Sequence, residues 1–266
     1  MISDTVRLFA EEPDRYLPDP EPPARRVLDD RFVLFLGPTP LVNFVSSVRV
    51  DADGVRDLVD EIRSLVLPDR RRIVWIVGPS CTPSDLRERL GELGFVPAER
   101  PPFEPVATAM ALTEPPDVGE TETVVVRPVE TYADYVLTDE IAGSAFDEDE
   151  QDRAVWAETA PERYAAYSVR DDYIRFVALV DGAPVATGMA NAGELGLLLG
   201  GAGTTAAARG RGAYRALVRA RWDEAVRRGT PALVILAGAM SRPILERVGF
   251  QCICEVSVLL DPEAGW

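Results

Sequence analysis

The chain has 266 residues and a formal net charge of −16, from 44 acidic against 28 basic residues. This balance excludes a nucleic-acid surface, which needs a basic face, and the length exceeds the usual single-domain range of about 100–200 residues, so two domains are expected. No histidine and no lysine occur, which excludes imidazole chemistry and Schiff-base catalysis through a protein lysine.

In the N-terminal half, Asn43 to Val50 reads as a strand, Val55 to Leu67 as a helix and Ile73 to Val77 as a strand. A helix from Ser84 to Leu93, closed by Gly94-Phe95, and a strand from Val106 to Leu112 follow. Between the first strand and its helix, Asp51-Ala52-Asp53-Gly54 places carboxylates where they would cap the helix and repel an anion. The Pro-rich stretch Thr113 to Thr121 marks a boundary, giving domains 1–117 and 118–266.

The C-terminal half opens with a strand-like Val124 to Val129, a helix from Tyr132 to Phe146 and a second helix near Arg153 to Tyr167. Between them lies the acidic run Asp147-Glu148-Asp149-Glu150, which reads either as a lure for a cationic amine or as a solvated capping cluster. Trp156, Tyr164 and Tyr167 form an apolar stripe of the kind that packs a core. Tyr173 to Val180 and Pro184 to Ala190 form a hairpin around the turn Asp181-Gly182-Ala183. A third strand, Leu195 to Leu199, runs into Gly200-Gly201-Ala202-Gly203-Thr204-Thr205, where dense glycine signals a bulge or bare backbone against which something packs. Next comes Arg209-Gly210-Arg211-Gly212-Ala213-Tyr214, opening a helix to Arg228. Two glycines followed by a helix N-terminus suit a phosphate-bearing ligand, because the unpaired first-turn N–H groups favour anions. Strand Ala232 to Ala237, helix Ser241 to Val248 ended by Gly249, and strand Cys252 to Leu260 complete the chain.

Three segments in this order resemble the GNAT superfamily of acyl-CoA-dependent N-acyltransferases: Val124-Val125-Val126-Arg127-Pro128-Val129, Arg209-Gly210-Arg211-Gly212 and Ile244-Leu245-Glu246-Arg247-Val248-Gly249-Phe250. The resemblance spans roughly residues 122–260 and implies a mixed, largely antiparallel sheet flanked by helices. It also implies acetyl-CoA or another acyl-CoA as co-substrate, no metal, and a small-molecule amine as acceptor. Carried over by position, Gly203, Thr204 and Thr205 would face the pantetheine arm, and Arg209, Gly210, Arg211, Gly212, Ala213 and Tyr214 would hold the phosphates. The helix–strand order of the first half, with Leu90 and Gly94-Phe95 echoing Leu245 and Gly249-Phe250, then reads as a degenerate copy without a cofactor site, or as an unrelated small α/β domain.

The chain departs from the family pattern at several positions. Tyr214 stands where a small residue is usual, so its ring must point away from the loop or narrow the phosphate site. Gly238 and Leu245 occupy the places of a common asparagine and of the tyrosine that protonates the departing thiolate. Glu194 lies nearest to where the family often keeps its base, although its place in Asn191-Ala192-Gly193-Glu194 favours a solvated turn residue. Tyr173 and Tyr214 are further acid candidates, and positioning with water as proton acceptor remains compatible with the sequence.

Among the helix arginines, those beyond the loop are expected to be solvated or paired with Asp223 and Glu224. Cys252 and Cys254 alternate along a strand and are expected on one face as small apolar residues. With no signal-peptide pattern and no run of about 20 apolar residues, a cytoplasmic protein that touches no membrane is expected. The competing functional readings are a non-catalytic CoA-binding sensor or scaffold, and a fold that uses an acyl donor other than a CoA thioester.

Overall fold

The computed structural model describes residues 2–69, 72–99, 103–121 and 123–264; Met1, Glu122, Gly265 and Trp266, at the limits of the expected units, lie outside the described residues. The elements of the first half are α1 (Asp4–Glu11), β1 (Arg25–Leu28), β2 (Val33–Leu36), β3 (Asn43–Ser46), α2 (Val55–Val66), β4 (Val74–Val77), α3 (Leu86–Glu92), β5 (Val96–Pro97) and β6 (Val106–Leu112). The second half contains β7 (Val124–Pro128), α4 (Tyr132–Ala145), α5 (Glu150–Ser168), β8 (Tyr173–Val180), β9 (Ala183–Gly193) and β10 (Gly196–Thr204), then α6 (Ala213–Arg227), β11 (Leu233–Ala237), α7 (Arg242–Arg247) and β12 (Gln251–Leu260).

Local chemistry sets several boundaries. Ser3, Thr131 and Asp149 each accept the N–H three residues on, which starts α1, α4 and α5. The Asp149 cap moves the start of α5 ahead of the expected Arg153 and gives the acidic run a structural task. Asp181 and Gly182 both have positive φ, as a tight turn between twisted strands requires. Helices α3 and α7 end alike: Gly94 and Gly249 are left-handed, and the N–H groups of Phe95 and Phe250 reach back to the carbonyls of Leu90 and Leu245, both at 3.0 Å. The expected carboxylate cap on α2 is not formed. Residues Ala52–Gly54 make a 3-10 turn instead, and the Gly54 N–H bonds the Asp51 carbonyl without a side-chain cap.

The strands of the described residues join one mixed, largely antiparallel sheet in the order β1-β2-β3-β4-β12-β6-β11-β10-β9-β8-β7, with β5 beside β12. Only β3/β4 and β10/β11 are parallel among the described pairs. The order reveals an exchange that local patterning does not show. β6, from the first half, lies between β11 and β12, while β12, the last strand, pairs with β4 of the first half. Each half therefore completes the other's sheet.

Helices α2 and α3 bury Leu58, Ile62, Leu86 and Leu90 against Trp75 and Leu34 of the first half. Helices α6 and α7 bury Val218, Trp222 and Leu245 against β10 and β11, and α1 lays Phe9 and Ala10 on the opposite face of the central strands. Helices α4 and α5 cover β8 on the face opposite α6, through Tyr135, Ile141, Tyr164 and Tyr167. Burying a side chain of this size contributes about 1.5–3 kcal/mol each, so the apolar layers hold the sheet and the polar contacts select its register. One of those contacts spans the exchange: fully buried Asp261, just past β12, receives two bonds from Arg63 of α2 at 2.9 and 2.8 Å.

The cysteine expectation is corrected. A bulge leaves Ile253 without a partner between Cys252↔Met110 and Cys254↔Ala109. The extra residue turns the two thiols to opposite faces, Cys252 beside Glu246 of α7 and Cys254 into the cluster under α1.

Candidate functional site

The parallel ladder of β10 and β11 is short. It joins Leu197 to Leu233 and Leu198 to Val234, after which β11 continues beside β6 and β10 continues beside β9. From Leu199 onward the edge of β10 that faces β11 is open. A bulge between Gly200 and Gly203 bends the strand at that level. Gly201 has a φ of 51°, in the left-handed region that favours glycine, and its bare backbone lies against the Met189 side chain. Gly203 lies under α4, where a Cβ would sit 2.6 Å from that of Ala145.

The strand leads through Thr205 and a 3-10 turn at Ala206–Ala208 into the glycine loop. Gly210 and Gly212 have φ of 80° and 85°, and Gly212 is the left-handed N-cap of α6 with no side-chain cap. The first-turn N–H groups from Ala213 onward thus end a 15-residue helix whose dipole presents about half a positive charge. Arg209 is exposed and donates to the Thr204 carbonyl at 3.4 Å; Arg211 is exposed and pairs with Asp181 at 2.5 Å. The Thr204 hydroxyl is buried and has no partner. An open strand edge, an orphaned hydroxyl and an uncapped helix N-terminus follow one another between Leu199 and Ala213, which suits a ligand that ends in phosphate and runs along backbone.

Tyr214 is turned away from the loop. Its ring packs against the cluster that contains Leu199, Trp222, Ala237 and Leu245, and its hydroxyl lies beside Ser241. Only its main-chain N–H faces the proposed anion site. Burial pushes its phenol above the ordinary range, opposed by the charge of Arg221.

Glu194 is not brought to this site. It is exposed in the turn between β9 and β10, two residues before the first residue of β10, whereas the bulge begins at Gly200. At about 3.3 Å per residue that separates it from the bulge by roughly 20 Å. It lines a cleft of about 450 Å³ with Tyr16, Leu17, Asp172 and Arg228.

A second cleft, of about 250 Å³, lies between α4 and α5 and is lined by Asp139, Glu140, Glu148, Arg153 and Trp156. Asp139 is neutralised by Arg163 at 2.6 Å and Arg175 at 2.8 Å, and the Arg163 guanidinium stacks 4.7 Å over the Trp156 ring. Glu148 is held above the ordinary carboxylate range by burial and by the neighbouring charges of Asp152 and Asp139. Tyr173 sits on the same side of the sheet, its hydroxyl 3.1 Å from the Met189 sulfur and 3.3 Å from Arg175 Nε.

In the first half, β3 and β4 part in the same way after Phe44↔Val74 and Val45↔Trp75. There the chain closes the opening itself: Thr82 N–H bonds the Val48 carbonyl at 2.9 Å and Val50 N–H bonds the Thr82 carbonyl at 3.3 Å. The place that β10 leaves open is taken by residues 81–82.

Sequence reasoning missed Arg221. The helix arginines beyond the loop are expected in solvent or in ion pairs, and Arg219 does pair with Asp223, as Arg227 and Arg228 do with Glu224. Arg221 instead is fully buried under Gly188, whose missing Cβ would lie 3.3 Å from the guanidinium carbon. Its position on α6 carried the signal: Leu217, Val218 and Trp222 around it are all apolar and buried.

No protein-family model matches the sequence, and comparison with curated proteins returns no match. Solved structures do match. A GCN5-related N-acetyltransferase from Kribbella flavida superposes with a TM-score of 0.65 at 20% identity, covering 90% of both chains. One from Sphaerobacter thermophilus gives 0.57 at 19% identity, over 90% of this chain and 83% of that one. A tandem GNAT protein from the clavulanic acid biosynthesis pathway gives 0.56 at 16% identity, over 88% and 79%. The chain has the GNAT fold in tandem arrangement.

Proposed function

We propose that the second half binds an acyl-CoA and transfers the acyl group to the amine of a small molecule. The observation that carries this reading is the continuity of the open β10 edge with the uncapped, glycine-led N-terminus of α6. In this reading Gly203, Thr204 and Thr205 meet the pantetheine arm, with the Thr204 hydroxyl gaining the partner it lacks. The loop from Arg209 to Gly212 and the N–H groups of Ala213 and Tyr214 meet the pyrophosphate, helped by the Arg209 and Arg211 side chains. The thioester supplies an electrophilic carbonyl. A neutral amine forms the C–N bond, the C–S bond breaks with its electron pair on sulfur, and the nitrogen loses a proton to water.

The acceptor would approach from the α4/α5 side, where Glu140 and Glu148 give the cleft a cation-attracting wall. Glu194 could enter the reaction only through a chain of waters, given its distance from the bulge. The first half, its own opening closed by residues 81–82, serves as structural support. The three cysteines are free thiols, in keeping with a cytoplasmic setting. No helix among the described residues is long and apolar enough to cross a membrane.

A second reading, CoA binding without turnover, is favoured by Gly238 and Leu245 at positions where the family carries polar groups. Calorimetric titration of acetyl-CoA separates the outcomes when run on wild type, Gly212→Ala and Gly212→Asp. Both substitutions strain the same left-handed residue, and only the second places a carboxylate against the anion site. Micromolar binding, about 8 kcal/mol, retained within tenfold by the alanine variant and abolished by the aspartate variant, supports the site. Turnover of amines then decides between enzyme and binder. No binding by the wild type refutes both readings.

A further inference from the structure

Gly78 and Gly238 hold corresponding places in the two halves. Each directly follows a strand of a parallel ladder, β4 in the first half and β11 in the second, at a level where β3 or β10 has already parted from it. Each also falls on the face away from its half's pair of helices. Val77 turns toward α2 and α3 and Ala237 toward α6 and α7, and the next residue points the other way. Against each glycine lies a glutamate carboxylate. A Cβ on Gly78 would sit 2.6 Å from Glu11 Oε1 of α1, and one on Gly238 would sit 2.7 Å from Oε1 of Glu104, two residues before β6. Both carboxylates accept a main-chain N–H from the turn after the strand, that of Ser80 at 2.6 Å to Glu11 and that of Ala239 at 2.7 Å to Glu104.

The two places differ in what fills them. In the first half, residues 81–82 lie along the edge that β3 opens, and Ser80, beside them, gives Glu11 a second donor through its hydroxyl at 3.0 Å. Glu11 is 8% exposed and both of its oxygens are engaged. In the second half the β10 edge is open, and Glu104 is only partly buried. Its hydrogen bond to Ala239 uses Oε2, and Oε1 has no donor among the described residues. The closed half thus displays the filled arrangement: an extended segment along the strand edge, with a donor seated on the carboxylate.

Glu104 also stands where an acceptor would approach. From the pair Leu198↔Val234, four residues along each strand lead to Ala202 and Gly238, so the carboxylate is level with the bulge between Gly200 and Gly203. It lies on the face where α4 covers Gly203. On the acyl-transfer reading above, on which this rests, we propose that Glu104 seats the acceptor, its free oxygen accepting an N–H from a cationic amine as Glu11 accepts from Ser80. A charge-assisted bond of this kind selects an ammonium over a neutral or anionic acceptor. The bond from Ala239 fixes the carboxylate before the amine arrives, so little ordering remains to oppose binding. The strand exchange carries Glu104 to the mouth of β11, and the first half thereby contributes a binding group as well as support.

Calorimetric titration of pentylamine and of 1,5-diaminopentane into the full chain saturated with CoA reads amine binding without turnover, because no acyl group is present. Three variants are compared with the wild type. Glu104→Gln keeps an oxygen for the Ala239 N–H and removes the charge. Gly238→Ala keeps the charge and pushes the carboxylate aside, at a residue whose φ lies outside the left-handed region. Glu11→Gln alters the matching carboxylate of the closed half. The first two are expected to weaken amine binding at least about tenfold, with CoA affinity and melting temperature close to wild type. Glu11→Gln is expected to lower the melting temperature and leave amine affinity unchanged. If Glu104→Gln does not fold, Gly238→Ala decides. Unchanged amine affinity in either of the first two variants overturns this inference, and so does a wild type that binds CoA but neither amine; both results leave the acyl-transfer reading standing. Equal weakening of amine and CoA, with a lowered melting temperature, assigns Glu104 to the fold alone and likewise overturns it. Failure of the wild type to bind CoA overturns the acyl-transfer reading and this inference with it.

Discussion

Replacing Asp261 with alanine tests the strand exchange directly. The carboxylate is fully buried, takes both prongs of the Arg63 guanidinium at 2.9 and 2.8 Å, and accepts the Glu263 N–H at 3.0 Å. Arg63 is itself mostly shielded, with 14% of its side chain exposed, so it cannot recover full hydration when its partner is removed. Its contact with Glu263 at 2.9 Å remains, but that carboxylate is 60% exposed and contributes little. Breaking a buried ion pair from one side costs about 3–5 kcal/mol, and the surviving Glu263 contact places the expected loss near the lower end, at about 3 kcal/mol. Because the contact joins the end of β12 to α2, the loss should lower the stability of both halves together. Urea unfolding followed by tryptophan fluorescence is informative, since Trp75 lies in the first half's core and Trp222 in the second's. The expected result is a single transition moved to lower urea with an unchanged slope. A loss under 1 kcal/mol, or a variant in which the two tryptophans report separate transitions, would refute the reasoning.

Other outcomes follow from the same geometry. A fragment comprising residues 118–266 lacks β6, whose Ala109, Met110, Ala111 and Leu112 are all within 2% of complete burial, so circular dichroism should show no cooperative unfolding unless residues 1–117 are supplied in trans. Gly196→Ala should cost at least about 3 kcal/mol, since φ is +148° and a Cβ would run into the Ala232 carbonyl; a melting temperature within a few degrees of wild type speaks against that contact. Glu194→Gln should change kcat by less than about threefold, because the carboxylate is exposed and a strand segment away from the bulge; a tenfold fall would bring it back into the mechanism. Glu148 binds its proton more tightly folded than unfolded. Above its ordinary value of 4.5 the folded state therefore holds the extra proton, and stability from this group falls as pH rises. Wild type should lose more stability than Glu148→Gln between pH 4 and pH 7 in parallel urea titrations, and equal losses would contradict the assignment.

Where the sequence pattern was local, the structure follows it closely. The Asp181-Gly182 turn, the paired Gly-Phe helix ends and the loop from Arg209 to Gly212 each draw their conformation from residues within one turn of themselves, and each is found where the pattern put it. Contacts distant in sequence were illegible. Nothing in Val106 to Leu112 says that its neighbours are β11 and β12, and the β12 bulge that separates Cys252 from Cys254 is fixed by pairing with β6 rather than by its own residues. α1 escaped notice because eight residues give little periodicity, and its apolar side is defined by the sheet it covers. The candidate site was readable as a loop but not as a cavity wall. That Tyr214 turns inward depends on how α6 packs against β10 and β11, and that Glu194 lies at the far end of β10 depends on strand length, since the apolar run stops at Leu199 while the strand continues through its bulge to Thr204.

The exchanged strands also bear on how the chain is made. β4 is complete by residue 77, yet its antiparallel neighbour is formed by residues 251–260, which leave the ribosome long after it. Through most of synthesis that edge of the first half is a row of unsatisfied peptide groups beside a half-built core, a template for pairing with any other nascent chain. Expression yield should therefore respond to elongation rate and to chaperone supply more sharply than the stability of the finished protein suggests, and a stop codon that removes β12 should direct the product to aggregates while leaving every residue of the glycine loop in place.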